Sequence, residues 1–177
     1  MNKNDLTQDT VRTLFEYRDG SLFWKERIAR CLRVGKQAGH LEQDGYIRVR
    51  INKINYSIHR IIFLHHYGYL PKFIDHKDGN RSNNLIENLR ECTASENQYN
   101  KKVQSRKFAE ITSKWKGVCW LPTRKRWIAR IRIDNKLKFL GHFLNEDDAA
   151  VAYNSAAKTY FGEFACLNVI SGNEPVD

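Results

Sequence analysis

Asp75-His76-Lys77-Asp78-Gly79-Asn80-Arg81-Ser82-Asn83-Asn84-Leu85-Ile86-Glu87-Asn88-Leu89-Arg90 is the stretch on which the reading of this 177-residue chain turns. It is polar and full of turn formers, with Leu85, Ile86 and Leu89 as its few apolar anchors. Such a composition predicts a long ordered loop. Phe73-Ile74 gives it a strand-like entry. Thr93-Ala94-Ser95-Glu96 has the spacing of a capping box, with Thr93 at the N-cap and Asn97 in the first helical turn. A strand, a loop and a helix therefore follow one another.

Four residues of this region carry chemistry. Asp75 and His76 are adjacent, Asn88 stands twelve residues beyond the histidine, and Asn97 stands nine further on. Hydrolysis of a phosphodiester needs an activated water and neutralisation of charge on the phosphate and leaving oxygen. Histidine can provide the first at neutral pH and a divalent ion the second. Oxygen donors such as Asp and Asn suit Mg²⁺, Mn²⁺ or Ca²⁺ better than zinc. A lone Asp-His pair is in most chains an exposed turn, and a lone Asn88 a turn former; the joint spacing is what points to catalysis. His40, His59, His65 and His66 have no such support and read as structural.

Upstream, Leu6–Phe15 reads as a short helix capped by Asp5 or Thr7, with Val11, Leu14 and Phe15 as its apolar stripe. Asp19-Gly20 and Asp44-Gly45 are turns. Tyr46–Ile51 alternates, with Ile47, Val49 and Ile51 on one face and Tyr46, Arg48 and Arg50 on the other. Asn52-Lys53 turns the chain into Ile54–Tyr56, and Ser57–Tyr69 is helical and closed by Pro71.

Downstream, Asn97–Lys114 is polar and basic and reads as the end of a helix running into a linker. A second module starts near Trp115. Val118–Trp120, Trp127–Ile133 and Lys136–Phe143 are three short antiparallel strands, with Asp134-Asn135 the tight turn between the last two. Asn145–Phe161 is a helix with Asn145 as N-cap, acidic Glu146, Asp147 and Asp148 at its positive end, and an alanine-rich face suited to a sheet. Gly162 ends it. On the central strand Arg130 and Arg132 share the face opposite Trp127, Ala129, Ile131 and Ile133. The expected fold class is α+β.

Charge agrees with this division. Lys and Arg number 30 against 20 Asp and Glu, a net charge of +10. Between Lys101 and Gly141 there are 13 basic residues and 2 acidic ones, so the remainder holds 17 and 18 and is nearly neutral. One segment thus carries the excess, which favours a localised polyanion-binding surface. No run of 18 apolar residues argues for a membrane span and no secretory signal is visible, so an intracellular protein without a membrane partner is expected. The 4 cysteines form no CxxC pair and support neither a zinc finger nor a disulfide framework.

His59-Arg60, Asp75-His76-x-Asp78-Gly79-Asn80, Asn83-Asn84, Glu87-Asn88-Leu89 and Glu96-Asn97 together resemble the HNH nucleases with their ββα-metal fold, over about residues 46–100. The likeness is to the phage and intron homing-endonuclease branch, in which asparagine replaces the last metal histidine. It implies that Asp75 and Asn97 ligate a divalent metal, Mg²⁺ or Mn²⁺. It makes His76 the general base and gives Asn88 the task of constraining the loop that presents His76. It also implies products with 5′ phosphate and 3′ hydroxyl, and a phage or mobile-element origin. Lys116-Gly117-Val118, Trp127-x-Ala129-x-Ile131, Phe139-Leu140-Gly141-x-Phe143, Asp148-Ala149-Ala150-x-Ala152-Tyr153-x-x-Ala156-Ala157 and Leu167-Asn168 resemble the ethylene-response-factor (Apetala-type) DNA-binding domain. That likeness puts Arg130, Arg132 and Phe139 on a face that enters the major groove, with Lys116 at its edge.

The expectation is a site-specific homing endonuclease acting on double-stranded DNA. Residues 1–100 form the nuclease domain with its N-terminal extension, 101–114 a basic linker, and 115–170 the reading domain. Lys116, Arg124 and Arg126, with Lys101 and Lys102 of the linker and Arg48 and Arg50 of the first half, are expected to meet DNA. One active site per chain predicts nicking by a monomer; a double-strand break needs a dimer or a second binding event. The rival readings are a DNA-binding regulator with a decayed nuclease half, and an RNA-binding protein.

Overall fold

The computed structural model describes residues 6–27, 33–100 and 112–170. The chain forms two compact units, Met1–Thr93 and Ala94–Asp177. The fold is α+β in both, as expected.

In the first unit α1 spans Gln8–Leu14, capped by the Thr7 side chain, which accepts from the Thr10 amide. The helix stops before Phe15, where the expected one ran on. Phe15 instead opens β1 (Phe15–Arg18), which pairs through the Asp19-Gly20 turn with β2 (Ser21–Trp24). Phe15 serves either reading by periodicity, because it is buried next to Val11 and Leu14 in the same core. A short β3 (His40–Leu41), β4 (Ile47–Ile51) and β5 (Ile54–Ser57) make an antiparallel sheet in that order. Positive φ at Asn52 and Lys53 fits the expected tight turn. Helix α2 (Ile58–Tyr67) buries Ile58, Ile61 and Ile62 against Val11, Phe15, Leu22 and Trp24. It ends at Gly68 in the left-handed conformation, earlier than Pro71 suggested.

The decisive stretch contains more regular structure than its composition promised. β6 (Phe73–His76) pairs antiparallel with β7 (Leu89–Cys92), placing Asp75 opposite Arg90 and His76 opposite Leu89. Only the segment between them is loop, closed by a 3₁₀ turn at Ile86–Asn88.

The second unit opens with α3 (Ala94–Tyr99), starting directly after Thr93 as the capping-box spacing suggests. β8 (Val118–Leu121), β9 (Arg126–Ile133) and β10 (Lys136–Phe143) form a sheet with β9 central. Helix α4 (Glu146–Phe161) follows Asn145 and stops at Gly162, buries Ala149, Ala150, Tyr153 and Ala157, and packs on β9 and β10. The small residues allow that close approach, and Gly117 is its tightest point. A Cβ there would lie 2.0 Å from Tyr153 Cδ2 and 2.7 Å from the Arg130 carbonyl oxygen, at φ +77°. Asn168 ties the end of this module to its beginning: its Oδ1 accepts from the Lys116 amide (2.7 Å) and its Nδ2 donates to the Lys116 carbonyl (3.1 Å).

Candidate active site and nucleic-acid interface

Asp75 and His76 lie on β6 and are both buried. A buried carboxylate needs a partner, and Arg90 across the ladder supplies one. Its Nε (3.1 Å) and Nη2 (2.8 Å) both donate to Asp75 Oδ2. This explains why β7 shows no alternating apolar pattern: one of its positions is given to a guanidinium whose side chain is only 9% exposed.

The His76 ring sits in an aromatic and amide socket. His59 packs against it edge-on with ring centroids 5.1 Å apart, and Tyr46 lies at 6.1 Å. Its Nε2 is 3.0 Å from Asn84 Oδ1. Asn84 is 2% exposed, and its own Nδ2 donates to the Ser82 carbonyl at 3.3 Å. That second bond fixes which way the amide faces, so its oxygen points at His76. Nε2 is therefore the donor to that oxygen. At 4% exposure the ring is more enclosed than the expected base beside a phosphate, because Tyr46, His59 and Asn84 all press on it.

Asn88, half-buried in the 3₁₀ turn, binds across the loop. Its Nδ2 donates to Asp78 Oδ1 (3.0 Å) and to the Asn83 carbonyl (2.8 Å), while its Oδ1 accepts from the Asp78 amide (3.1 Å). Burial works to raise the Asp78 pKa. Hydrogen bonds from Asn83, the Asn80 amide and Asn88 together outweigh it and hold the carboxyl below its usual range. Asn88 thus laces the loop between β6 and β7 rather than touching the His76 ring. Two residues passed over in the sequence complete the picture. Asn84 was hidden because a buried amide looks like another turn former; the Asn83-Asn84 doublet was its only trace. His59 is 8% exposed with Nδ1 buried and unbonded. Burial, then the neighbouring His76, Arg60 and Arg48, push its pKa down to about 3.

Metal ligation can be judged on the donors. Among the described residues no group of three His, Cys, Asp or Glu could hold an ion. Asp75 offers a salt-bridged carboxylate, a hard oxygen donor. It fits an ion that keeps much of its own water, as Mg²⁺ does, and not a zinc cage. Asn97 lies on α3, in the second unit.

The basic candidates divide. Arg48 is bound by Asp44, its Nη1 and Nη2 donating to Oδ1 (3.0 Å) and Oδ2 (2.5 Å), whereas Arg50 is exposed. Lys101 and Lys102 lie outside the described residues. Lys116, expected at the groove edge, directs its ammonium to the Tyr99 carbonyl (2.5 Å), and burial lowers its pKa. Arg124 and Arg126 are exposed, Arg124 reaching His142 at 3.2 Å. On the sheet Phe139 stands opposite Arg130 and Leu137 opposite Arg132, and all four are exposed. An open cavity of about 600 Å³ borders this face, lined in part by Tyr99, Lys116, Arg130 and Arg132, and no residue of the Asp75–His76 site lines it.

Comparison with known proteins now decides the family. Residues 56–99 match the model of a family described as HNH endonuclease. A protein of Acanthamoeba polyphaga mimivirus, described as an uncharacterized HNH endonuclease, is 32% identical over 143 residues, covering 77% of this chain and 70% of the relative. The chain belongs to the HNH endonuclease family. It is a DNA endonuclease, and the β6–β7 hairpin with its Asp75-His76 pair lies inside the matched segment. Protein 3.8 of Escherichia phage T7 is 35% identical over 71 residues, 39% of this chain and 55% of that protein. An ethylene-responsive transcription factor of Arabidopsis thaliana is 34% identical over 85 residues, 47% of this chain but 20% of the plant protein. None of the described helices of this HNH endonuclease is long and apolar enough to cross a membrane.

Proposed function

We propose that this HNH endonuclease is a site-specific, divalent-metal-dependent enzyme of the homing type, cutting with residues 1–100 and choosing its site with residues 115–170. The observation that carries the catalytic half is the His76–Asn84 hydrogen bond, which leaves Nδ1 as the basic nitrogen of a histidine adjacent to a salt-bridged carboxylate. His76 Nδ1 takes a proton from water as that water attacks phosphorus in line, and the 3′ oxygen leaves. Asp75 would offer its carboxylate to a divalent ion, with Asn97 added on the family resemblance alone; such an ion, when bound, would supply neutralisation of the charge on the phosphate and the leaving oxygen. Arg90 keeps the Asp75 carboxylate in one orientation. Asn88 keeps the loop closed behind His76.

The reading half rests on the exposed face of Arg130, Arg132, Leu137 and Phe139, together with the partial likeness to the plant transcription factor. Arginine reads guanine O6 and N7 in the major groove, and an apolar neighbour can meet a thymine methyl. Arg124 and Arg126 reach phosphates, which position the protein without specifying sequence. The viral and phage relatives support a mobile-element or phage setting. One active site per chain supports nicking by a single copy.

The test uses supercoiled plasmid libraries carrying random inserts, with Mg²⁺ or Mn²⁺ and with EDTA. Wild type should convert a sequence-defined subset to nicked or linear form, EDTA should stop it, and His76→Ala should lower the rate about 10²–10⁴-fold. Binding without cleavage under either ion would instead favour a regulator with a decayed nuclease half. Stronger competition by structured RNA than by duplex DNA would favour an RNA-binding protein.

A further inference from the structure

The segment matched to the family begins at residue 56, yet the loop that holds His76 is braced from far upstream. The Tyr17 hydroxyl accepts a hydrogen bond from the Ile86 amide at 3.1 Å, across 69 residues. The Asp19-Gly20 turn sits directly on the loop backbone. A Cβ on Gly20 would lie 2.8 Å from the Leu85 nitrogen and 3.1 Å from the Asn84 carbonyl carbon, at φ +76°. The hairpin that carries these contacts is anchored: Phe15, Leu22 and Trp24 are at most 3% exposed and share a core with Ile58, Ile61 and Ile62. Next to the braced backbone stands Asn84, whose amide faces His76 Nε2.

We propose that the β1–β2 hairpin, through Tyr17 and Gly20, is a positioning device for His76 that works through Asn84 by holding the Nε2–H tautomer. A fixed backbone at residues 84–86 is what lets a short side chain present its oxygen to Nε2 at a constant distance and direction. If that backbone drifts, Asn84 loses the ring, the proton can move to Nδ1, and the nitrogen that must accept a proton from water is no longer a base. Geometry of this kind matters steeply, because small displacements of a catalytic group cost on the order of 10²-fold in rate. Gly20 is needed for the close approach, and Tyr17 supplies the one hydroxyl that caps the Ile86 amide among the described residues. Neither residue touches the His76 ring in any contact described above, so both are positioning residues.

The inference rests on the reading of His76 as the base, and two measurements keep the two apart. The first is ¹⁵N NMR of the full chain with labelled histidine, His76 being assigned by its loss in His76→Ala. Wild type should show the Nε2–H tautomer at neutral pH. Asn84→Leu should shift it to Nδ1–H or to a mixture, Tyr17→Phe and Gly20→Ala should shift it partially, and Asn84→Asp, which keeps an acceptor, should restore it. An Nδ1–H ring in wild type, or a tautomer indifferent to Asn84→Leu and to both hairpin variants, would overturn the proposal. If Asn84→Leu fails to fold, Tyr17→Phe and Asn84→Asp decide it by the same signal.

The second measurement is plasmid nicking with Mg²⁺. Asn84→Leu should lose roughly 100-fold in kcat and the hairpin variants roughly 3–10-fold, with KM for DNA within about threefold of wild type. A fall in melting temperature with kcat intact would reduce the hairpin to scaffold. If His76→Ala cuts as fast as wild type, the base reading fails, and the tautomer signal alone judges whether the hairpin positions the ring.

Discussion

The two units of this endonuclease solve opposite problems. The first hides its chemistry: Asp75, His76, His59 and Asn84 are all buried, with the Asp75 carboxylate salt-bridged to Arg90 and His76 Nε2 bonded to Asn84. The second displays its chemistry: Arg130, Arg132, Leu137 and Phe139 stand exposed on a plain antiparallel sheet whose other face is covered by an alanine-rich helix. A group that must keep one orientation gains from a buried socket that holds one edge of its ring. A group that must meet the edge of a base gains from a rigid platform and free access. Burial and exposure of polar residues thus separate the proposed reacting site from the proposed reading one.

That contrast can be broken in four ways. The largest effect comes from crossing the two functions. His76→Ala should lower cleavage about 10²–10⁴-fold while DNA affinity changes little. Arg130→Ala with Arg132→Ala should instead weaken site preference by roughly 1–3 kcal/mol per arginine and leave the rate within the bound complex unchanged. Single-turnover kinetics beside equilibrium binding separate the two; a matching loss in both quantities for either variant would dissolve the distinction.

Next in size is Gly117→Ala. The added carbon meets Tyr153 and the Arg130 carbonyl, and the positive φ is strained for alanine. A cost of roughly 2–4 kcal/mol is expected, falling on the second unit alone. Calorimetry should show one transition moving down and the other staying in place.

A pH effect of intermediate size belongs to the first unit. His59 is held neutral in the folded chain, with its pKa pushed down to about 3 by burial. The unfolded chain takes up this proton near pH 6.5 and the folded chain only near pH 3. Between those values the unfolded state binds more protons, so stability is full above pH 6.5 and falls as pH drops, by about 1.4 kcal/mol per pH unit. Urea melts of wild type and His59→Phe from pH 7.5 to 4.5 should diverge in slope. Parallel slopes would show that His59 is not the group responsible.

Smallest is Arg48→Ala. Its guanidinium is engaged by Asp44 at the surface, so the melting temperature should barely move. A large loss of DNA binding would mean that Arg48 leaves Asp44 for a phosphate, which a salt titration of the variant would reveal as a reduced slope.

The second unit was the more legible of the two. Alternation along Trp127–Ile133, the Asp134-Asn135 turn and the acidic start of α4 belong to elements that an apolar pattern specifies, and strands and helix fall within a residue or two of expectation. The first unit hid more because its inward positions are not apolar. β7 reads as loop since Arg90 occupies a place where a strand would otherwise put valine. Asn84 reads as a turn former since nothing in a sequence distinguishes a buried amide from an exposed one. β1 was lost for a different reason: Val11, Leu14 and Phe15 fit helical spacing, and only the pairing of Phe15 with Trp24 breaks the tie. Lys116 was expected at the groove edge, and nothing in its sequence neighbourhood shows its tether to the Tyr99 carbonyl.

Helix α3 has a practical consequence for anyone recombining such enzymes. Tyr99 stacks on Phe161 with centroids 3.9 Å apart and planes 12° from parallel, and Lys116 grips the carbonyl at its end. A chimera joined at residue 100, where composition marks a connector, would strip the recipient sheet of an aromatic partner and strand a lysine. Grafts that exchange the second unit should cross over at Thr93, and they will carry Asn97 along with it.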